Sequence, residues 1–495
     1  MNKTNYPATL LCDFYKVSHR EQYPNNTEYV YSTWIPRGSR IKGVDRVVAF
    51  GFQAFIKEYI IEYFNNNFFN RPKSEITEEY VRVIHYTLGV SSPDVSHIEE
   101  LHDLGYMPIK IKAVKEGTLV PLRVPMLTIE NTNPKFFWLT NYLETLMSCS
   151  LWIPSTSATI ALEYRKILNK YAMKTVGSLD FVPFQGHDFS MRGMGALESS
   201  KTSGAGHLLS FVGTDTIPAI LFAEHYYNAN IEKELIGCSI PATEHSVMSA
   251  YGRNEFESYK RIITEVYPNG LVSIVSDTWD LWKVITDVIG GLKEEILARD
   301  GKVVLRPDSG DPADIICGNP NSDNPHEQKG VIELLWDIFG GTVSEQGYKV
   351  LNSHIGCIYG DAITLERCEA ICERLKQKGF ASTNMVFGIG SFTYQYNTRD
   401  TFGFALKSTH VVIDGEEHNI FKDPATDTDK LKKSLTGRAV VLDEEKGIRV
   451  LDELSIDNQN KLQNIDLLED IFTDGVLLRD ESFSDIRNRV LESCK

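Results

Sequence analysis

The sequence predicts an α/β protein, a (β/α) barrel accompanied by an α+β domain assembled from both chain ends, and three observations lead there. From about residue 180 onward, a short apolar run, a polar or Gly-rich break and a segment of helical periodicity follow one another repeatedly, the mark of parallel βα units. Each apolar run ends in a charged or Gly-rich group; such residues collect at the C-terminal rim of a barrel, whereas an open doubly wound sheet concentrates them at one switch point. Outside this region the alternation is absent, so residues 1–180 and 400–495 are expected to form one discontinuous domain around a barrel at 181–399.

Taken in order, the runs at 29–34 and 109–114 (IKIKAV) alternate as strands do, while FQAFIKEYIIEYF (52–64) repeats apolar residues at helical spacing. The barrel strands are expected at LLSFVGTD (208–215), GCSIPATEH (237–245), LVSIVSD (271–277), KVVLRPDSG (302–310), HIGCIYGD (354–361) and NMVFGIGS (384–391). Their helices fall at 217–235, 246–266, 278–298, 330–339 and 364–378. In the last of these, Cys368 and Cys372 lie one turn apart and read as two buried helix cysteines. After residue 400, TFGFALKSTHVVIDGEEHNIFKDP reads as strands joined by an Asp-Gly turn.

With 495 residues, 42% of them hydrophobic, the chain exceeds the ~250–300 residues at which single cores divide. Its net charge of −16 argues against a duplex nucleic-acid binder, so any anionic ligand must be held by a local basic cluster. No uncharged run approaches the roughly 20 residues needed to cross a bilayer, and Lys, Asp and Lys interrupt the N-terminus before a signal-peptide core could form. The eight cysteines are scattered, without a CxxC pair, and read as reduced thiols of a cytoplasmic protein. Neither GxGxxG nor GxxxxGK[ST] occurs, which removes the sequence support for Rossmann and P-loop chemistry.

Several constellations carry chemistry. RPDSGDP places Arg306 and Asp308 two residues apart beyond a β-branched run, so that both side chains leave the strand end on one face. An Arg there suits pyrophosphate and an Asp suits ribose hydroxyls; a rim ion pair beside a turn is the alternative. YGDA (359–362) and FGIGSF (387–392) end further strands as loops able to cradle a ribose phosphate. HDFSMRG (187–193) offers Arg192 as an anion clamp and Phe189 as a stacking face, or else a core Phe beside a surface ion pair. In ATEHS, His245 stands at a strand-to-helix junction as a general acid, phosphate contact, phosphoryl acceptor or merely structural residue. Basic residues cluster in KLKKSLTGR (430–438), following Arg399, Lys407 and Lys422.

In order along the chain, DFYKVSHREQYP, EGTLVPLRVPMLTIENTNP, HDFSMRG, FVGTDT, IPATEHS, VSDTWD, VLRPDSGDP, YGDAIT, NTRD and FKDP closely resemble the nicotinamide phosphoribosyltransferase family, of the type II phosphoribosyltransferases. The resemblance implies an irregular α/β barrel plus an α+β domain, and a homodimer with shared active sites. It implies transfer of phosphoribosyl from phosphoribosyl pyrophosphate to nicotinamide with Mg²⁺, giving nicotinamide mononucleotide and pyrophosphate in NAD salvage. It further implies a pyridine ring held between Phe189 and the partner's Tyr15, with Asp215 accepting from the carboxamide. Arg192 and Arg306 would hold pyrophosphate; Asp308, Gly360 and Asp361 the ribose; Gly390 and Ser391 the 5′-phosphate. Arg37, Arg399, Lys407, Lys422 and Lys430 would form a basic wall from the partner subunit. His245 matches a histidine phosphorylated by ATP. Ser391 stands where the family has Gly, and Ala405 where it has Ser. The rival readings are a nicotinate phosphoribosyltransferase and a pyridine-nucleotide-binding protein without turnover.

Overall fold

The computed structural model describes residues 6–423 and 434–494, which fall into two compact units. One comprises Met1–Thr159, Ala223–Ala229 and Asn397–Ser493; the other comprises Ile160–Phe222, Asn230–Tyr396 and the last two residues. The first division lies inside a single 32-residue helix, Glu144–Thr175.

The first unit is discontinuous because one sheet draws strands from both chain ends. Its seven strands run in the order Glu416–Asn419, Ala405–Ile413, Thr27–Ile35, Leu127–Asn131, Ile109–Ala113, Glu469–Thr473, Val476–Leu477, all antiparallel. In Ile109–Ala113 the alternation seen in the sequence becomes strict alternation of buried and half-buried residues, as a sheet with one covered face requires. Trp34 is fully buried and stacks on Phe404 at 5.4 Å between ring centroids, tying the two chain ends together in one core. The Asp-Gly turn expected after residue 400 joins Ala405–Ile413 to Glu416–Asn419, with φ of 53° at Asp414 and 76° at Gly415; that pair of positive angles is what a two-residue type I′ hairpin needs.

The second unit is built on a parallel sheet in the order Gly213–Thr214, Gly186–Asp188, Met385–Ile389, Ile355–Tyr359, Asp300–Arg306, Asn269–Val275. The segment 238–242 links its two edges. Cys238 bridges Gly213, and Ala242 bridges Ser273. This run, expected as a full strand, forms only these isolated bridges, since Pro241 has no N–H to give to a ladder. Around the sheet, Leu365–Gln377 turns Cys368, Ile371, Cys372 and Leu375 inward, so both cysteines sit on the core face.

One further strand expectation needs correction, and one strand lies outside those expected. Of 208–215 only Gly213–Thr214 pairs, because the helix Leu197–His207 and its closing turn extend into the apolar run. The strand Gly186–Asp188 was not foreseen from the sequence; three residues without a β-former carry no strand signal. Among the described residues no helix is long and apolar enough to cross a membrane.

Candidate active site

The C-terminal ends of the parallel strands open onto one cavity of about 920 Å³. Its lining includes Phe189, Arg192, Asp215, His245, Arg306, Asp308, Gly360, Asp361, Gly390 and Ser391, so the structure unites all ten of these candidates. A second, largely apolar cavity of about 490 Å³ shares Phe189, Asp215, Ala242 and Arg306 with the first.

Phe189 follows the strand Gly186–Asp188, its N–H donating to the carbonyl of Ile389 at 3.0 Å. The ring lies where two neighbouring positions carry no side chain. A Cβ on Gly388 would fall 2.5 Å from the Phe189 ring, and one on Gly360 would fall 3.4 Å from it and 3.0 Å from Asp308 Oδ1. These glycines are needed for close approach and not for a left-handed backbone, since neither has a positive φ.

Asp215 ends the next strand, with its side chain 45% exposed. Its Oδ1 accepts from His187 Nε2 at 2.8 Å and from Ser239 Oγ at 2.6 Å. Burial pushes this carboxyl up, but the His187 hydrogen bond and charge, then Ser239 and Arg306, outweigh it and leave the pKa below the usual value.

Arg306 donates to the carbonyl of Thr243 at 2.6 Å, while its buried Nε has no hydrogen-bond partner among the described residues. Asp308 is anchored through its N–H to Asp277 Oδ2 at 2.9 Å, and Ser309 Oγ donates to the same oxygen at 2.5 Å. Burial raises the pKa of Asp308; Arg306 opposes this, and Asp277 and Asp361 add to it. His245 begins the short helix His245–Ser249, its Nδ1 at 3.1 Å from Thr278 Oγ1. Its ring is about half exposed, with Nε2 lying 3.9 Å from Asp277 Oδ1 and 4.0 Å from Asp308 Oδ2. Asp277 is only 5% exposed, and that Oδ1 has no hydrogen-bond partner among the described residues.

Three polar residues of the site, His187, Ser239 and Asp277, were given no role from the sequence. His187 stands in the HDFSMRG segment and Asp277 ends a foreseen strand, but only the fold shows which carboxylate each meets. Beside them, Ala362 adopts a φ of 51°, a conformation in which a non-Gly residue is uncommon.

The loop at 388–391 accommodates its serine. Gly390 is extended, at φ −96° and ψ −171°, and Ser391 opens a short helix, so no left-handed conformation is demanded at 388–391. Ser391 Oγ lies against Gly193, where a Cβ would collide with it.

The remaining candidates belong to the other unit. Arg37, Arg399, Lys407 and Lys422 are mutually close in charge terms: burial, then Arg399, lowers the pKa of Arg37, and burial lowers that of Lys407 with Arg37, Arg399 and Lys422 adding to the effect against Glu144. Clustered cations of this kind can receive an anion. Tyr15, 55% exposed, lines a cleft with Lys16, His19, Glu144 and Lys407. Ala405 is buried opposite Ile35 and offers no hydroxyl. Lys430 lies outside the described residues.

Comparison with known proteins covers both units. The nicotinate phosphoribosyltransferase (NAPRTase) family matches residues 184–464, and the N-terminal domain of nicotinamide phosphoribosyltransferase matches residues 8–111. A nicotinamide phosphoribosyltransferase of Acinetobacter baylyi is 49% identical over 98% of this chain and 97% of its own length. Proteins of the same name from Mycoplasma pneumoniae and Xanthomonas campestris pv. campestris are 37% and 36% identical over 88% and 96% of this chain, each across 96% of its own length. Among solved structures, a nicotinate-nucleotide pyrophosphorylase from Pyrococcus furiosus has a TM-score of 0.59 at 15% identity, covering all of this chain and 96% of its own. The human nicotinic acid phosphoribosyltransferase reaches a TM-score of 0.55 at 14% identity over 98% of this chain and 93% of its own; both likenesses show the fold. With the type II phosphoribosyltransferase architecture and near full-length identity of 49%, the chain belongs to the nicotinamide phosphoribosyltransferase family.

Proposed function

We propose that this enzyme transfers the phosphoribosyl group of phosphoribosyl pyrophosphate to the ring nitrogen of nicotinamide, releasing pyrophosphate and nicotinamide mononucleotide for NAD salvage. The observation that carries the base assignment is the Asp215 carboxylate, ionised and half exposed beside Phe189, with Oδ2 free of hydrogen bonds among the described residues. A carboxamide N–H₂ donates to such an oxygen; the carboxylate of nicotinate is repelled by it.

In the reaction the C1–N bond forms as the C1–O bond breaks, and the pyrophosphate departs with the electron pair. The ribose acquires oxocarbenium character, so rate comes from alignment and from stabilising the departing anion. Arg306, whose buried Nε is unpartnered, Arg192 and His245 receive that anion. Asp308 and Asp361 accept from the ribose hydroxyls, Gly360 keeps the approach open, and Gly390 with Ser391 takes the 5′-phosphate.

Asp277 Oδ1, buried and without a hydrogen-bond partner among the described residues, is an oxygen that suits a hard cation. Among the described residues no three such side chains converge as metal ligands; Mg²⁺ arriving with the substrate would supply charge neutralisation at its phosphates. His245 Nε2, free of hydrogen bonds and half exposed to the cavity, is the phosphoryl acceptor from ATP in this reading. A homodimer is proposed in which Tyr15, Arg37, Arg399, Lys407, Lys422 and Lys430 of one subunit complete the cavity of its partner. Eight free cysteines favour the cytoplasm.

The test is pyrophosphate and mononucleotide formation with Mg²⁺, comparing nicotinamide with nicotinate, each with and without ATP. Turnover of nicotinamide, accelerated by ATP, is expected; turnover of nicotinate alone overturns the role of Asp215, and no turnover of either leaves only a binding protein.

A further inference from the structure

His187 and Ser239 both direct their donors at one oxygen of Asp215. Nε2 of His187 lies 2.8 Å and Oγ of Ser239 2.6 Å from Oδ1, while Oδ2 has no hydrogen-bond partner among the described residues. The two donors come from opposite flanks of the strand Gly213–Thr214: His187 from the paired strand Gly186–Asp188, Ser239 from the bridging segment that begins at Cys238. A carboxylate with both neighbours aimed at the same oxygen cannot turn about its Cβ–Cγ bond without breaking two hydrogen bonds. We propose that His187, assisted by Ser239, is a positioning residue for base selection, which occupies Oδ1 of Asp215 and so presents Oδ2 as the single acceptor read by an amide N–H.

The inference rests on the reading of Asp215 as the amide acceptor. It adds that this acceptor is held by its neighbours and does not orient itself. The titratable and charged groups acting on Asp215 are His187 and Arg306; of these only His187 donates a hydrogen bond to it. Burial works against the charged form, so loss of the His187 bond leaves a carboxyl that is both freer to rotate and easier to protonate. A protonated Asp215 can donate to a nicotinate carboxylate, and discrimination then weakens most on the acid side.

The experiment compares wild type, His187→Ala, His187→Gln and Asp215→Asn, measuring kcat and KM for nicotinamide, nicotinate and phosphoribosyl pyrophosphate between pH 5.5 and 8.5. The Gln amide nitrogen reaches about where Nε2 lies, so it can restore the bond. Expected is a KM for nicotinamide about 10-fold higher in His187→Ala, a smaller change in kcat, and KM for phosphoribosyl pyrophosphate within about 2-fold of wild type. The nicotinamide-to-nicotinate ratio falls, most at low pH, and His187→Gln recovers most of it. Equal losses for all three substrates, or a His187→Ala ratio that matches wild type at every pH, overturns the proposal. If Asp215→Asn also keeps the wild-type ratio, it is the reading of Asp215 itself that fails; if only His187→Ala does, that reading stands and the role of His187 alone is lost.

Discussion

The ring of Phe189 is held in place by absences. A methyl group at Gly388 would meet the ring at 2.5 Å and the Gly360 Cα at 2.8 Å, so Gly388→Ala is expected to displace the ring and lower kcat/KM for nicotinamide at least about 10-fold, a loss that saturating phosphoribosyl pyrophosphate does not restore. Asp215→Asn is expected to reduce kcat/KM for nicotinamide about 10-fold and to admit nicotinate, because removing the negative charge removes the repulsion; steady-state kinetics with both bases decides it. His245→Ala should abolish stimulation by ATP and leave basal transfer measurable, and a mutant that ATP still accelerates would refute the phosphohistidine. That Arg306, Asp308 and His245 would gather at strand ends around one cavity was legible because they stand in dense polar motifs. Asp277 was not: its carboxylate gains meaning only from the Asp308 N–H, the Ser309 hydroxyl and the His245 ring that converge on it from two other segments.

At the scale of elements, Glu116 shows how a loop residue can begin a distant helix. It is fully buried and accepts from the N–H groups of Gly51 at 2.7 Å and Gln53 at 2.6 Å, and from Tyr227 Oη at 3.0 Å, capping the helix that opens at Phe52. Burial pushes its pKa up to about 7, with Glu481 adding to the rise and the Gln53 N–H opposing it. A folded-state pKa above the unfolded one means that the native state holds the proton longer, so this group's contribution to stability declines as pH rises from about 4.5 to about 7. Glu116→Gln is therefore expected to flatten that part of the Tm–pH curve, which calorimetry would measure; an unchanged slope would mean that the group ionises normally. Element type was readable where periodicity was long, as in Leu365–Gln377, or where turn chemistry was specific, as in Asp414-Gly415. It was not readable at Gly186–Asp188 or at 238–242, where pairing depends on neighbours far along the chain.

For the whole molecule, the proposed homodimer with shared active sites makes a prediction that mixing subunits can check. A subunit carrying Asp308→Ala and one carrying Arg399→Ala should each be inactive as homodimers. Dissociated, mixed and reassembled, they should recover about a quarter of wild-type activity, since half the dimers are mixed and each of these regains one intact site. No recovery would place both residues in a site made by one chain. What the sequence determined by itself was chemical and periodic: the α/β class with its flanking α+β domain, the βα succession, and the strand-end motifs whose residues line one cavity. Those signals are local, because apolar spacing and turn residues act within a few positions of one another. The tertiary structure decided how the parallel sheet is bridged through 238–242, which glycines yield space to Phe189, and that His187 and Ser239 share one oxygen of Asp215. Each of these is a meeting of segments well separated in sequence, set by strand order and packing, and no spacing rule within a segment encodes it.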